Sequence, residues 1–256
     1  MKTIAVCNEK GGVGKTTTAV AMAAILRKVY KKKVLVIDSD VQCNTSKTYR
    51  CNLEDGIATL YDIVVSDEPT PIGEIIQHTE LGDIIPSDPL LSEFNSMDNR
   101  KMLALKKELK AIDKEYDFCI IDTPPTSWEI LKAVLVATDF CVVPTRAAQY
   151  GLEGLEAIWN MIRAVRDGVN PDLHITGILV TEYERRLASL ENIRIIKEVL
   201  APYMDTEMFS TPIRKTVAVE EAQIRRTSLL GYAPQATAER DYERVCKEML
   251  EREGLL

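Results

Sequence analysis

No stretch of this 256-residue sequence is apolar for long enough to span a bilayer. The longest uninterrupted apolar run, residues 19–26, has eight residues, where a membrane helix needs about 20. The first apolar stretch, residues 3–7, is cut off by Asn8, Glu9 and Lys10, too short for the apolar region of a secretory signal. The expected location is the cytoplasm. The six cysteines, Cys7, Cys43, Cys51, Cys119, Cys141 and Cys246, form no C-x-x-C pair, and three of them lie inside apolar runs. They read as reduced packing thiols. With only His78 and His174 present, no Cys–His nucleophile pair is evident, and both histidines read as surface or structural residues. Positive charge is in deficit too: 32 Lys and Arg stand against 39 Asp and Glu, a net charge of −7. Such a chain is no basic sleeve for nucleic acid, and any DNA contact needs a local patch working against the overall field. Linkers, low-complexity segments and internal repeats are missing as well.

What is present is a composition of 46% hydrophobic and 28% charged residues, enough for a sizeable core. Short β-branched runs alternate with longer helical patterns, the sign of βαβ units. Strands are predicted at residues 3–8, 33–38, 83–85, 117–122, 140–144, 175–180 and near 208–211. Helices are predicted at about 15–30, 99–115, 128–137, 152–167, 189–201 and 234–253. Runs such as Val34-Leu35-Val36-Ile37 are apolar on both faces, which fits a sheet covered by helices on both sides. The expected fold is α/β, doubly wound, with a mostly parallel sheet. One such domain accounts for residues 1–256, and no further domain is expected before the first strand.

Directly after the first strand comes Glu9-Lys10-Gly11-Gly12-Val13-Gly14-Lys15-Thr16-Thr17, and a helix opens behind it. The strict phosphate-loop pattern asks for Gly where Glu9 stands; the rest of it survives. Gly11, Gly12 and Gly14 let the backbone curl so that N–H groups, including that of Val13, meet phosphate oxygens at a helix N-terminus. Lys15 is expected against the β- and γ-phosphates, the Thr16 hydroxyl on Mg²⁺, and Thr17 in the same cradle. Lys10 is an additional lysine, electrostatically costly unless a polyanion lies between it and Lys15.

At the end of the second predicted strand stands Asp38-Ser39-Asp40-Val41-Gln42-Cys43-Asn44. Carboxylates at strand ends of an open α/β sheet point into the ligand crevice. Asp40 is placed to orient an attacking water and Asp38 to hold a water of the Mg²⁺ shell, unless the two are solvated turn carboxylates. Phe118-Cys119-Ile120-Ile121-Asp122 is an apolar strand ending in one carboxylate, the form of a Walker B segment supporting Mg²⁺. Thr123-Pro124-Pro125 follows as a loop of few conformations.

Lys-Gly-Gly-x-Gly-Lys-Thr resembles the deviant phosphate loop of the ParA/MinD group of P-loop ATPases. Asp38 to Asn44 is similar to the D-x-D-P-Q-G-N segment of ParA proteins, with Val41 for the family's Pro and Cys43 for its Gly. Asp122-Thr123-Pro124-Pro125 resembles D-C-P-P. Pro144 with Tyr150-Gly151-Leu152-Glu153-Gly154-Leu155 resembles P-x-x-x-x-Y-A-L-E-G-L, and Glu221-Ala222 matches a late Glu-Ala. The resemblance to ParA-type partition ATPases runs nearly the whole chain. It implies ATP and Mg²⁺ as ligands, a homodimer formed on ATP in which Lys10 reaches the partner subunit's phosphates, and Asp40 positioning the hydrolytic water. It also implies nonspecific DNA binding by the dimer, stimulation by a ParB-type centromere-binding partner, plasmid or chromosome segregation, and a nucleoid-associated protein. Adenine is expected near Thr181, Pro212 and Ile213. Of the family's DNA-contacting arginines, one falls on Arg186 and another on Ala218, so Arg185, Arg186, Arg214, Lys215, Arg225 and Arg226 are the candidates for a substitute patch. The helix-turn-helix domain that some members carry before the ATPase fold is not expected here.

Three alternatives compete. A MinD-like membrane-cycling ATPase ends in a basic amphipathic helix, whereas residues 239–256 hold four cations against six acids, and an anionic surface would repel them. Tyr242, Val245, Cys246 and Met249, at helical spacing, are expected on the core instead. An iron–sulfur carrier needs a cysteine just after the Walker B strand, but Cys119 precedes Asp122. A metabolic P-loop ligase does not need Lys10.

Overall fold

The computed structural model describes residues 1–94, 97–125 and 128–256, with the backbone alone at 128 and 149–153. The strands are β1 (Lys2–Val6), β2 (Val34–Asp38), β3 (Gln77–Thr79), β4 (Gly82–Ile85), β5 (Phe118–Asp122), β6 (Phe140–Arg146) and β7 (His174–Thr181). They form one sheet in the order β3-β4-β2-β5-β1-β6-β7. β3 runs antiparallel to β4, and every other pairing is parallel. The helices are α1 (Lys15–Lys28), α2 (Asn44–Thr48), α3 (Leu60–Val64), α4 (Ile72–Ile75), α5 (Asn99–Ala111), α6 (Trp128–Ala137), α7 (Gln149–Gly168), α8 (Leu187–Ile195), α9 (Ala201–Tyr203), α10 (Val217–Ile224), α11 (Leu229–Tyr232) and α12 (Thr237–Arg252). Among them, none is long and apolar enough to cross a membrane.

Because successive strand residues point to opposite faces, the central strands feed two cores at once. Ala5, Leu35, Ile37, Cys119, Ile121, Cys141 and Val143 join a core with α3, α5, α6 and α7. Ile4, Val6, Val34, Val36, Ile120 and Val142 join a second core with α1 and α12. β2 and β5 are buried along their whole length, as a sheet covered on both sides requires. The doubly wound expectation is therefore met.

The predicted strand near 208–211 is a correction. Phe209 N donates to Ile178 O at 2.9 Å and Ile213 N to Val180 O at 2.8 Å, so four residues of this segment run beside two of β7. Ser210 N turns to Glu248 instead, and Pro212 has no N–H to give. Only an isolated bridge between Ile178 and Met208 remains. The short helices α2, α3, α4, α10 and α11 and the strand β3 have no counterpart in the sequence reading.

The stripe Tyr242, Val245, Cys246 and Met249 of α12 is buried as expected. Tyr242 hydroxyl lies 3.1 Å from Thr18 Oγ1 on α1, so α12 packs its apolar face on the helix that follows the phosphate loop. All six cysteines are free, and five are buried.

Candidate functional site

Parallel pairing sets the C-terminal ends of β2, β5, β1, β6 and β7 side by side, and the loops that leave them build one cleft, as the geometry of open α/β sheets demands. Behind β1, Asn8 pins the loop: its Nδ2 donates to Pro144 O at 2.8 Å, and its Oδ1 accepts from Lys10 N at 3.0 Å. Gly12 and Gly14 take left-handed φ values of 70° and 84°, which residues with a Cβ adopt only under strain. Gly14 caps α1 without any side-chain hydrogen bond, so the first N–H groups of the helix stay available to an anion.

Lys15 is buried at the floor, its Nζ donating to the Lys10 carbonyl at 2.9 Å. Burial pushes its ammonium below the usual lysine range, while the nearby Asp122 and Asp40 carboxylates act upward. Thr16 Oγ1 and Thr45 Oγ1 both donate to Asp122 Oδ2, each at 2.7 Å. The second oxygen of this buried carboxylate, Oδ1, has no hydrogen-bond partner. Burial raises Asp122 to about 6. A buried carboxylate with one unmatched oxygen beside a threonine hydroxyl fits a hydrated divalent cation, the Mg²⁺ of the sequence reading.

Asp38 is brought next to Asp122, its register partner across β2 and β5, but its oxygens are already engaged. Oδ2 accepts from Ser46 N and Oγ, both at 2.7 Å, and Oδ1 accepts from Asp40 N at 3.1 Å. Burial and the Asp122 charge raise Asp38 to about 7. Its visible work is to hold the Asp40 loop and the start of α2 in place. Asp40 lines the cleft, its Oδ1 accepting from Gln42 N at 3.0 Å. Cys43, where the resembling family has Gly, keeps a left-handed φ of 53° as the N-cap of α2.

The cleft has a volume of about 650 Å³. Its lining contains six cations, Lys15, Lys47, Arg146, Arg214, Lys215 and Arg226, against three carboxylates, Asp40, Glu182 and Glu220. A chain of net −7 thus concentrates positive charge where a polyanion would lie. Of the predicted ligand residues, Gly11, Gly12, Gly14, Lys15, Thr16, Thr17, Thr181 and Ile213 line it; Lys10, Val13 and Pro212 do not. Thr181 Oγ1 ties β7 to the loop, 2.9 Å from Val13 O, and Gln223 Nε2 reaches Thr17 Oγ1 at 2.8 Å. Lys10 lies instead against α7: a Cβ on Gly154 would meet Lys10 Cγ at 2.8 Å and Asn8 Oδ1 at 2.9 Å. That close approach explains the glycine of the Glu153-Gly154-Leu155 match. The side chains of Tyr150, Leu152 and Glu153 fall outside the described residues.

The proposed DNA patch comes together only in part. Arg185, Arg186, Arg225 and Arg226 are exposed. Arg186 pairs with Glu184 at 3.0 Å, and Lys215 stands 4.0 Å from the same carboxylate. Arg225 stacks over Tyr232 at 5.3 Å. Arg214 is also engaged within the chain: its Nε and Nη2 grip the buried Asp241 at 2.8 and 2.7 Å, a bidentate pair that fixes the cleft wall to α12. Sequence reasoning missed Arg146, Lys47, Glu182 and Gln223. Arg146 was the one with a signal, a cation at the C-terminal end of a strand in a parallel sheet.

A family model described as an AAA domain matches residues 1–175. The chain is 34% identical over 254 residues to the sporulation initiation inhibitor protein Soj of Bacillus subtilis, covering 97% of this chain and 98% of that protein. It is 30% identical over 256 residues to the chromosome partitioning protein ParA of Myxococcus xanthus, covering 98% and 88%. Among solved structures it superimposes on a Cyanothece McdA variant in complex with ATP, with a TM-score of 0.84 and 25% identity over 100% of this chain and 97% of that one.

Proposed function

Because the chain belongs to the ParA-type partition ATPases of the AAA domain family, we propose that it is an ATP-gated carrier that dimerises on ATP, binds DNA without sequence preference as the dimer, and releases it after hydrolysis stimulated by a ParB-type partner. Residues 1–256 then work as one P-loop unit, associated with the nucleoid, in plasmid or chromosome segregation. The observation that carries this reading is the floor of the cleft, where buried Lys15 stands between the phosphate loop and the Asp40 and Asp122 carboxylates.

The glycine loop and the start of α1 hold the phosphates through N–H groups, and Lys15 sits at the β/γ junction. Thr16, backed by Asp122, is the place for Mg²⁺, which when bound neutralises charge on the phosphoryl oxygens. Asp40 accepts a hydrogen bond from the attacking water. Thr181 and Ile213 form the wall for the base. Lys10, which packs on α7 outside its own cleft, is the residue this reading assigns to a second subunit's phosphates.

The reading favours DNA over a membrane because the apolar face of α12 is buried in the core, leaving no free stripe there to settle on lipid. The test is binding of the purified protein to nonspecific duplex DNA and to anionic vesicles, with ATP and with ADP, at several salt concentrations. Binding to DNA with ATP alone is expected, with log K falling against log[salt] by roughly 0.9 per phosphate neutralised, and Arg186→Glu is expected to weaken it for every sequence alike. Equal binding in both nucleotide states, or ATP-dependent binding to vesicles only, removes the carrier reading.

A further inference from the structure

We propose that Arg146 is a catalytic cation supplied within the same chain, held off the phosphate site by Glu182 and transferred to the outer phosphates when a nucleotide occupies the cleft. The inference rests on the ATPase reading and deepens it.

Arg146 ends β6, the strand that pairs with β1 on the side away from β5. It therefore stands at the sheet edge from which the phosphate loop springs. Its Nη2 is the nearest atom to the space a Cβ would take on Gly12, at 3.9 Å. The helix-side N–H groups of the loop hold the inner phosphates, so the earlier glycines pass over the outer ones. No phosphate-loop pattern asks for an arginine here. In this structure Arg146 Nη2 is joined to Glu182 Oε1.

Glu182 is the anomaly that gives the arrangement its meaning. It is a carboxylate on the wall of a cleft otherwise dominated by cations. Its backbone has a φ of 49°, left-handed for a residue with a Cβ. A carboxylate in a strained conformation beside a polyanion site is unfavourable unless it serves a partner, and the partner is Arg146. Both side chains are about half exposed, 46% and 41%, so the pair is weakly held and the guanidinium is free to exchange acceptors. Phosphoryl oxygens are the stronger acceptors for its planar fork, and the released Glu182 keeps its hydration.

In hydrolysis the water oxygen bonds to the γ-phosphorus while the bond from that phosphorus to the bridging oxygen breaks. The electron pair leaves with ADP, and the water proton passes through Asp40 to the released phosphate. Arg146 transfers no proton. It donates N–H hydrogen bonds to oxygens on which charge accumulates, the role of an arginine finger.

The test compares wild type, Arg146→Ala, Arg146→Lys, Glu182→Gln and the double variant Arg146→Ala/Glu182→Gln. Fluorescent-nucleotide displacement gives affinities for ADP, a nonhydrolysable ATP analogue and ADP with aluminium fluoride, beside the turnover rate and the melting temperature. Arg146→Ala is expected to melt with wild type, to hold ADP within about threefold, and to lose about tenfold or more in affinity for the aluminium fluoride complex and in turnover. Arg146→Lys recovers only part, because a point charge lacks the fork. Glu182→Gln tightens the ATP analogue, and the double variant loses that gain. Unchanged aluminium fluoride affinity in Arg146→Ala, or a Glu182→Gln gain that survives in the double variant, overturns the proposal. A wild-type protein that binds no nucleotide at all overturns the ATPase reading instead.

Discussion

Lys15 carries a charge where burial opposes it, beside two carboxylates that favour it, and that balance suits a site that takes up phosphate. Lys15→Ala is expected to abolish nucleotide binding in a fluorescent-nucleotide titration, because the floor loses its one in-register cation; wild-type affinity would reject this loop as the phosphate site. Lys15, Thr16 and Asp122 were legible in the sequence because phosphate chemistry dictates their types and order. Asp38 was only half legible: its place beside Asp122 followed from the strand ends, but its hydrogen bonds to Ser46 depend on α2, which no periodicity announces. Far from the cleft, His174 Nε2 lies 3.1 Å from Glu253 and is raised above 6.5 chiefly by that hydrogen bond. Despite partial burial, the bonds from His174 and Thr176 hold Glu253 below its usual range. The histidine's contribution is full below its unfolded value of 6.5 and fades as pH rises through the higher folded value. The carboxylate's contribution is full above its unfolded value and fades in acid. The melting temperature of wild type should therefore exceed that of His174→Gln at pH 6, by less than about 1 kcal/mol in stability given the exposure, and the gap should close as pH rises past the folded value of the histidine. A gap independent of pH would reject the pair.

Elements were read well where apolar periodicity is long. α1, α6 and α7 and the six parallel strands stand within a few residues of their expected limits, because burial on two faces leaves a continuous apolar run. The misses are elements of three to eight residues, set by their surroundings. α2 starts from a left-handed Cys43, and α3 from a capping box of Thr59 and Asp62. The segment at 208–213 has strand composition, but its excess residues against β7 break the ladder. Directly after it comes Arg214, whose grip on buried Asp241 joins the cleft wall to α12. Arg214→Ala leaves that buried carboxylate with the N–H of residue 214 but without its cation, so a loss of about 2 kcal/mol is expected in denaturant unfolding, at the low end because the guanidinium is half exposed. Lys215→Ala should leave stability within about 0.5 kcal/mol of wild type. Equal effects of the two substitutions would deny Arg214 its structural role.

At the scale of the whole molecule, overall charge and local charge point in opposite directions. The chain is acidic by seven charges, yet the cleft beside the phosphate loop is lined by twice as many cations as carboxylates. Composition showed the first; only the fold shows the second, since Lys47, Arg146 and Arg226 are far apart in sequence. The exposed arginines of the candidate patch outside the cleft are three on one subunit, Arg185, Arg186 and Arg225, so a phosphate backbone would be held well only if two copies set their patches side by side. Everything therefore depends on whether a nucleotide with an intact terminal phosphate brings two subunits together. Sedimentation velocity of Asp40→Ala with Mg²⁺ measures this most directly, because the role proposed for Asp40 is to orient water and not to hold phosphate, so its removal is expected to leave phosphate binding intact and to trap the triphosphate state. The account predicts a dimer with ATP and a monomer with ADP; a monomer in both states, at saturating nucleotide, would contradict it.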